Sequence, residues 1–217
     1  MKLLLASRNP KKLAELQRIV NAAELHHIEV VGLGAVDDYP ETPETGATFA
    51  ENALIKARDG ADHSGWVTIA DDSGLTVDAL NGMPGVLSAR WSGQHGADEA
   101  NLQLVLAQLE DVPEERRGAA FVSDVAIVVP ARLASAEVLA TKNLDPEMVV
   151  EGEWRGRIIH EKRGENGFGY DPIFQPHDAD GRTSAELSSV EKDARSHRGQ
   201  ALRAALPVLK DIAELVD

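Results

Sequence analysis

Two adjacent carboxylates, Asp71 and Asp72, close the apolar run Thr68-Ile69-Ala70 and are followed at once by Ser73 and Gly74. A carboxylate at the carboxyl end of a strand stands where α/β sheets place their ligands. It can accept a proton from an attacking water, or ligate a hard cation. Mg2+ in particular takes one or two carboxylates and completes its shell with phosphate oxygens and water. Glu41 and Glu44, upstream, supply further oxygens, and either one could reach the same ion. Successive strand residues point to opposite faces, so Asp71 and Asp72 are not expected to share one role. Phosphatases of the Asp-x-Asp kind need both carboxylates on one side, which this spacing does not offer. The ordinary alternative is an Asx turn closing a hairpin.

Three other stretches carry chemistry. Ala6-Ser7-Arg8-Asn9-Pro10-Lys11-Lys12 reads as strand end, tight loop and helix start, with Asn9 as N-cap and Pro10 at the first helical position. The amides of such a terminus, with Ser7 and Lys12 beside it, suit a phosphate, although the glycines and Gly-Lys-Ser/Thr of a Walker loop are missing. A capped helix with a solvated basic face is the plainer alternative. In Gly167-Phe168-Gly169-Tyr170-Asp171-Pro172 the glycines let a flat ring approach backbone, and Phe168 or Tyr170 could stack on a base or plug the core. With only 4 Phe and 2 Tyr in the chain, one of each in a glycine loop favours a functional reading. Glu191-Lys192-Asp193-Ala194-Arg195-Ser196-His197-Arg198-Gly199 gathers Lys192, His197 and Arg198, which can hold phosphate or a base carbonyl, and Gly199 suggests a backbone turn.

The elements that must position these groups alternate in the α/β manner. Strands are expected over Leu3 to Ala6, Ile28 to Leu33, Trp66 to Ala70, Leu75 to Ala79 beyond a turn, Ala119 to Val129 and Glu153 to His160. Helices are expected from about residue 10, from Thr48-Phe49-Ala50-Glu51 through about Ala57, and over Ala100 to Leu109. A further helical region opens at Ser188-Ser189-Val190-Glu191, with Pro207 expected to interrupt or kink it. Ala131 to Val150 reads as a strand or hairpin.

Composition narrows the function. The 217 residues, 43% hydrophobic, suffice for one substantial core or two lobes sharing a sheet. With 22 Lys+Arg against 36 Asp+Glu, the net charge of −14 argues against sequence-independent nucleic-acid binding, so an anionic substrate needs its cations gathered locally. No apolar run is long enough to span a bilayer, the N-terminus lacks a full signal-peptide pattern, and there is no cysteine. A cytoplasmic protein is the expectation.

Taken in order, Ser7-Arg8-Asn9-Pro10-Lys11-Lys12, Glu44-Thr45-Gly46-Ala47-Thr48-Phe49-Ala50-Glu51-Asn52-Ala53, Ala70-Asp71-Asp72-Ser73-Gly74-Leu75, Pro84-Gly85-Val86-Leu87-Ser88-Ala89-Arg90-Trp91, Gly167-Phe168-Gly169-Tyr170-Asp171-Pro172 and Ser196-His197-Arg198-Gly199 resemble the inosine triphosphate pyrophosphatase family, the dITP/XTP pyrophosphatases, from residue 3 to about residue 206. The resemblance implies one elongated two-lobed α/β domain with a long central mixed β-sheet flanked by helices. The substrate would lie in a cleft between the lobes, and the protein would form a homodimer. It implies Mg2+-dependent hydrolysis of ITP, dITP and XTP to the monophosphate and pyrophosphate, removing deaminated purines from the nucleotide pool. By the same resemblance Ser7, Arg8, Asn9, Pro10, Lys11 and Lys12 bind the triphosphate, Asp72 is proton acceptor and metal ligand, and Ser73 touches the substrate. Phe168, Gly169, Tyr170 and Asp171 contact the base, Lys192, His197 and Arg198 complete the base and phosphate contacts, and Glu44 is the second metal ligand. Asp71 is left to the turn or to a supporting contact; which carboxylate faces Lys12 and Ser73 is the discriminating observation. The chain departs from the family at Arg8 and Lys11, where small residues are common, and over Pro130 to Val150, which receives no catalytic role. A Maf-like pyrophosphatase of other nucleotides and a non-hydrolysing purine sensor are the alternatives.

Overall fold

The computed structural model describes residues 1–40 and 43–216. The strands are β1 (Lys2–Leu5), β2 (Glu29–Gly32), β3 (Val67–Val77), β4 (Gly118–Val128), β5 (Glu147–Ile158) and β6 (Phe174–Pro176). The helices are α1 (Pro10–Ala22), α2 (Phe49–Ser64), α3 (Asp98–Gln108), α4 (Ala136–Ala140), α5 (Ser189–Arg195) and α6 (His197–Val216). One sheet runs in the order β2-β1-β3-β4-β5-β6. It is mixed: β1 pairs parallel with both β2 and β3, and β5 pairs antiparallel with β6. No helix among the described residues is long and apolar enough to cross a membrane.

The chain gathers into two compact units, one of Met1–Asp72, Asp124–Glu151 and Ala201–Asp217, the other of Ser73–Ser123 and Gly152–Gln200. In the first, strand alternation divides the apolar residues between two layers. Leu3, Leu5, Val67, Ile69, Val125 and Ile127 pack with Leu16 and Val20 of α1 and with Ala201, Ala205 and Leu209 of α6. Ala70, Ala126 and Val128 turn the other way, to Ala53, Ala57 and Ala61 of α2. In the second unit Leu75, Val77, Phe121, Trp154 and Phe174 close on Leu102 and Val105 of α3.

Local chemistry sets the helix starts. Thr48 and Glu51 form a reciprocal capping box at α2, and Ser188 and Glu191 form another at α5, each worth about 1 kcal/mol of helix stability. Asn9 caps α1, its Oδ1 accepting from the Lys11 amide at 2.9 Å, with Pro10 leading the helix.

Several expectations are corrected. Asp71-Asp72-Ser73-Gly74 is not a turn: β3 runs unbroken from Val67 to Val77. Its polar residues find partners from the sheet surface rather than from their own backbone. Gly74 serves close approach, since a Cβ there would lie 2.3 Å from Ser88 Oγ and 2.8 Å from the Gly85 carbonyl oxygen. The stretch 131–150 holds α4, whose N-cap Ser135 accepts from the Val138 amide, before β5 begins at Glu147, so the strand expected from Glu153 starts earlier. Gly199 lies within α6 rather than in a turn, and that helix continues through Pro207.

Candidate active site

β3 delivers its two carboxylates to opposite faces, and each meets a different cation in the first unit. Asp71, its side chain 4% exposed, accepts from Lys12 Nζ at 2.8 Å. Asp72 turns to α2, where its Oδ1 accepts from Lys56 Nζ at 3.0 Å and its Oδ2 from Asn52 Nδ2 at 3.3 Å. The expected meeting of Asp72 with Lys12 is therefore corrected: alternation gives that lysine to Asp71, so contact with Lys12 does not single out Asp72, which is set apart instead by Lys56 and Asn52. Lys56 also donates to Glu44 Oε1 at 2.8 Å, so Glu44 and Asp72 converge on one ammonium. Glu41 lies outside the described residues.

Asn52 is 1% exposed and fixed from two sides. Its Oδ1 accepts the Gly46 amide at 2.8 Å, which leaves its Nδ2 as the donor to Asp72. Gly46 has to be glycine for this approach, since a Cβ would lie 2.6 Å from Glu51 Cβ and 2.8 Å from Asn52 Oδ1. Burial raises the pKa of Asp72, and Lys56 pulls it back only in part. Such a group is a better proton acceptor than a solvated carboxylate. Lys56 stays charged: burial works against its ammonium, but Asp72 and Glu44 together raise its pKa.

Asp71 is already neutralised by Lys12, whereas Asp72 shares its surroundings with a second carboxylate. Glu44 and Asp72 make a hard two-oxygen donor set, which fits a divalent ion that keeps water and takes phosphate oxygens. Sequence reading missed Asn52 and Lys56. Their spacing of four on a helix whose start the capping box marks was the available signal.

A third carboxylate stands behind them. Asp124 of β4 is 7% exposed and accepts a hydrogen bond from the Ala50 amide in the first turn of α2. Its pKa is pushed up to about 6, by burial first and then by the Glu151 and Asp72 charges, against that hydrogen bond. A carboxyl raised above its unfolded value of about 3.9 gives full stability while protonated in both states, and loses it as pH rises through the folded pKa. Asp124→Asn keeps an acceptor for Ala50 and carries no charge. Denaturant melts should show it roughly 1–2 kcal/mol more stable than the parent above pH 7, and no more stable near pH 4. An equal effect at both pH values would count against the repulsion.

The loop from Ser7 to Lys12 is braced within the first unit. Ser7 Oγ accepts the Asn9 amide at 3.2 Å, and Arg8 donates to the Tyr39 carbonyl oxygen at 3.0 Å. Lys11 projects from the first turn of α1 and is exposed.

In the second unit the glycine loop separates its two rings. Phe168 is 64% exposed, with Lys192 Nζ 5.5 Å from its ring centre. Tyr170 is buried, and its hydroxyl donates to the Ser88 carbonyl at 2.8 Å, so of the two Phe168 is the ring available for stacking. Asp171, 2% exposed, organises the loop: it accepts from the Phe168 amide at 2.9 Å, from Ser184 Oγ at 2.6 Å and from Lys192 Nζ. The Gly169 amide donates to Asp98 Oδ2 at 3.1 Å. Arg198 reaches Ser73 Oγ at 3.2 Å, and the His197 ring stacks on Phe121 with centroids 5.1 Å apart.

The model of the Ham1 family matches residues 3–208. A curated relative from Mycobacteroides abscessus, named dITP/XTP pyrophosphatase, is 57% identical over 99% of this chain and 98% of its own length. A crystal structure of a nucleoside-triphosphatase, dITP/XTP pyrophosphatase, from Mycobacterium abscessus aligns with TM-score 0.77 at 58% identity, covering 96% of this chain and all of the other. The Staphylococcus aureus Ham1 protein aligns with TM-score 0.82 at 34% identity, over 97% of this chain and 98% of that one. Matched by the family model over residues 3–208 and 57% identical to that curated relative over 99% of its length, the chain belongs to the Ham1 family.

Proposed function

We propose that this protein hydrolyses deaminated purine nucleoside triphosphates, dITP, XTP and ITP, to the monophosphate and pyrophosphate. The observation that carries the reading is the Asp72 carboxylate, oriented by Asn52 and Lys56 beside Glu44, in a chain so close to proteins named for that activity. In this reading Asp72 takes a proton from water as the water oxygen bonds to the α-phosphorus; the bond from that phosphorus to the α–β bridging oxygen breaks, and pyrophosphate leaves. Glu44 and Asp72 would hold Mg2+, which supplies charge neutralisation at the phosphate oxygens when bound. Ser7, Asn9, Pro10, Lys11 and Lys12 receive the triphosphate, with Arg8 tying the loop to Tyr39. Phe168 stacks on the base, in a loop shaped by Gly169, Tyr170 and Asp171, while Lys192, His197, Arg198 and Ser73 complete the contacts.

Selection rests on the 6-keto oxygen of hypoxanthine and xanthine, an acceptor where adenine presents a donor. A donor such as Arg198 left unpaired against ATP penalises the wrong base. A panel of dITP, XTP, ITP, ATP, GTP and dUTP with Mg2+, read by pyrophosphate release, should give kcat/KM for the deaminated purines at least about a hundredfold above ATP. Equal values for ATP and ITP would sink the selection. Preference for dUTP would favour a Maf-like enzyme, and tight binding without pyrophosphate a sensor. The family resemblance also carries a homodimer, checked by light scattering, and a cytoplasmic location.

A further inference from the structure

The Lys56 ammonium lies between the two carboxylates proposed for a divalent ion. Its Nζ lies 2.8 Å from Glu44 Oε1 and 3.0 Å from Asp72 Oδ1, the two oxygens assigned to metal. The lysine side chain is 17% exposed and the Asp72 side chain 13%, so water screens that pair little, while Glu44, 34% exposed, stands at the solvent edge. Around them stand Asn52, which donates to the other oxygen of Asp72, and the Asp124 carboxylate, whose charge repels that of Asp72. Without a cation, Glu44 and Asp72 would repel one another at close range. With Lys56 in place one of the two negative charges is compensated and the pair is held together.

We infer that Lys56 is a resident counter-cation that competes with divalent metal for Glu44 and Asp72, and that a triphosphate frees the metal site by drawing the ammonium to its own oxygens. The inference rests on the proposed function and adds an order of events to it. Metal alone meets a carboxylate pair that is already occupied, whereas metal arriving with a triphosphate does not, because the phosphate offers Lys56 an alternative partner. Lysine suits this exchange: it is a point charge on a flexible stem, able to swing between oxygens without the fixed fork of arginine.

The test uses the full chain without nucleotide and titrates Mn2+, following free ion by electron paramagnetic resonance. Lys56→Met keeps most of the stem and removes the charge. It should bind Mn2+ roughly tenfold more tightly than the parent, and Mn2+ should raise its melting temperature by more than it raises the parent's. Lys56→Arg should keep the weak binding of the parent. If Lys56→Met does not fold without metal, refolding on addition of Mn2+ supports the inference, and Lys56→Gln supplies the affinity. Unchanged or weaker Mn2+ binding in a folded neutral variant overturns it, as does tightening in Lys56→Arg equal to that in Lys56→Met. Pyrophosphate release from dITP and XTP by the parent, measured in parallel, separates the two readings. Absence of hydrolysis sinks the proposed function, whereas hydrolysis with no metal effect in the variants sinks only the role of Lys56.

Discussion

Asp72→Asn should bind ITP within a few fold of the parent yet release pyrophosphate on the order of a thousandfold more slowly. The amide keeps the shape and can still accept from Asn52 or Lys56, but it cannot take a proton from water and is a poor metal ligand. One of its edges must also present N–H₂ to a donor, because both carboxylate oxygens now accept, one from Lys56 at 3.0 Å and the other from Asn52 at 3.3 Å. The loss should fall on kcat, since the phosphate loop and the Phe168 loop are untouched. Asp71→Asn is the matched comparison one residue away. Its partner is Lys12, so the change should alter KM through the triphosphate contacts proposed for that lysine and leave kcat within about tenfold. Near-parental turnover in Asp72→Asn, or a larger kcat loss in Asp71→Asn, would reverse the assignment of the two carboxylates.

The second large effect is on stability and lies away from the chemistry. Arg117 is 1% exposed, and its guanidinium is satisfied by main-chain oxygens. Nε donates to the Ile158 carbonyl at 2.8 Å, Nη1 to those of Leu109 and Val112, and Nη2 to that of Ile159. It thereby joins the end of α3 to the end of β5 within the second unit. Burial lowers its pKa from the usual arginine value, opposed by Glu114. Arg117→Met fills much of the volume but takes the guanidinium donor from all four carbonyls, of which that of Leu109 keeps the Val112 amide at 3.0 Å. Each orphaned acceptor costs about 1–3 kcal/mol before relaxation, so a net loss of about 3 kcal/mol is expected. For a chain of this size that corresponds to a fall of roughly 6–12 °C in Tm, with kcat per folded molecule little changed. A loss under about 1 kcal/mol would mean that water replaces the guanidinium there.

Much of this was legible in the residues. Asn9-Pro10 and the two capping boxes marked helix starts that the structure reproduces, because capping is decided within four residues. Strand alternation separated Asp71 from Asp72 correctly. What failed was the reading of Asp-Asp-Ser-Gly as a turn, since those residue types favour turns only when no distant partner claims them. Here Lys12 and Lys56 claim the carboxylates, and the Ser88 segment needs the space left by Gly74. The partner assignments themselves were illegible for the same reason. Which lysine meets which aspartate depends on the layer that each helix joins, and α1 and α2 lie on opposite sides of the first unit's strands.

That last arrangement ties the accuracy of folding to the chemistry. Leu3, Leu4 and Leu5 of β1 sit opposite Val67, Thr68 and Ile69 of β3, only a few residues before the two aspartates. A slip of one residue in that pairing would exchange Asp71 and Asp72 between layers, presenting each lysine with its neighbour's carboxylate. It would also turn Ile69 out of one apolar layer and Ala70 out of the other. The leucines that stabilise the sheet therefore act as proofreaders: a molecule misthreaded by one position would lose its core and its Asp72–Lys56 pairing together, and would leave no stable but defective enzyme.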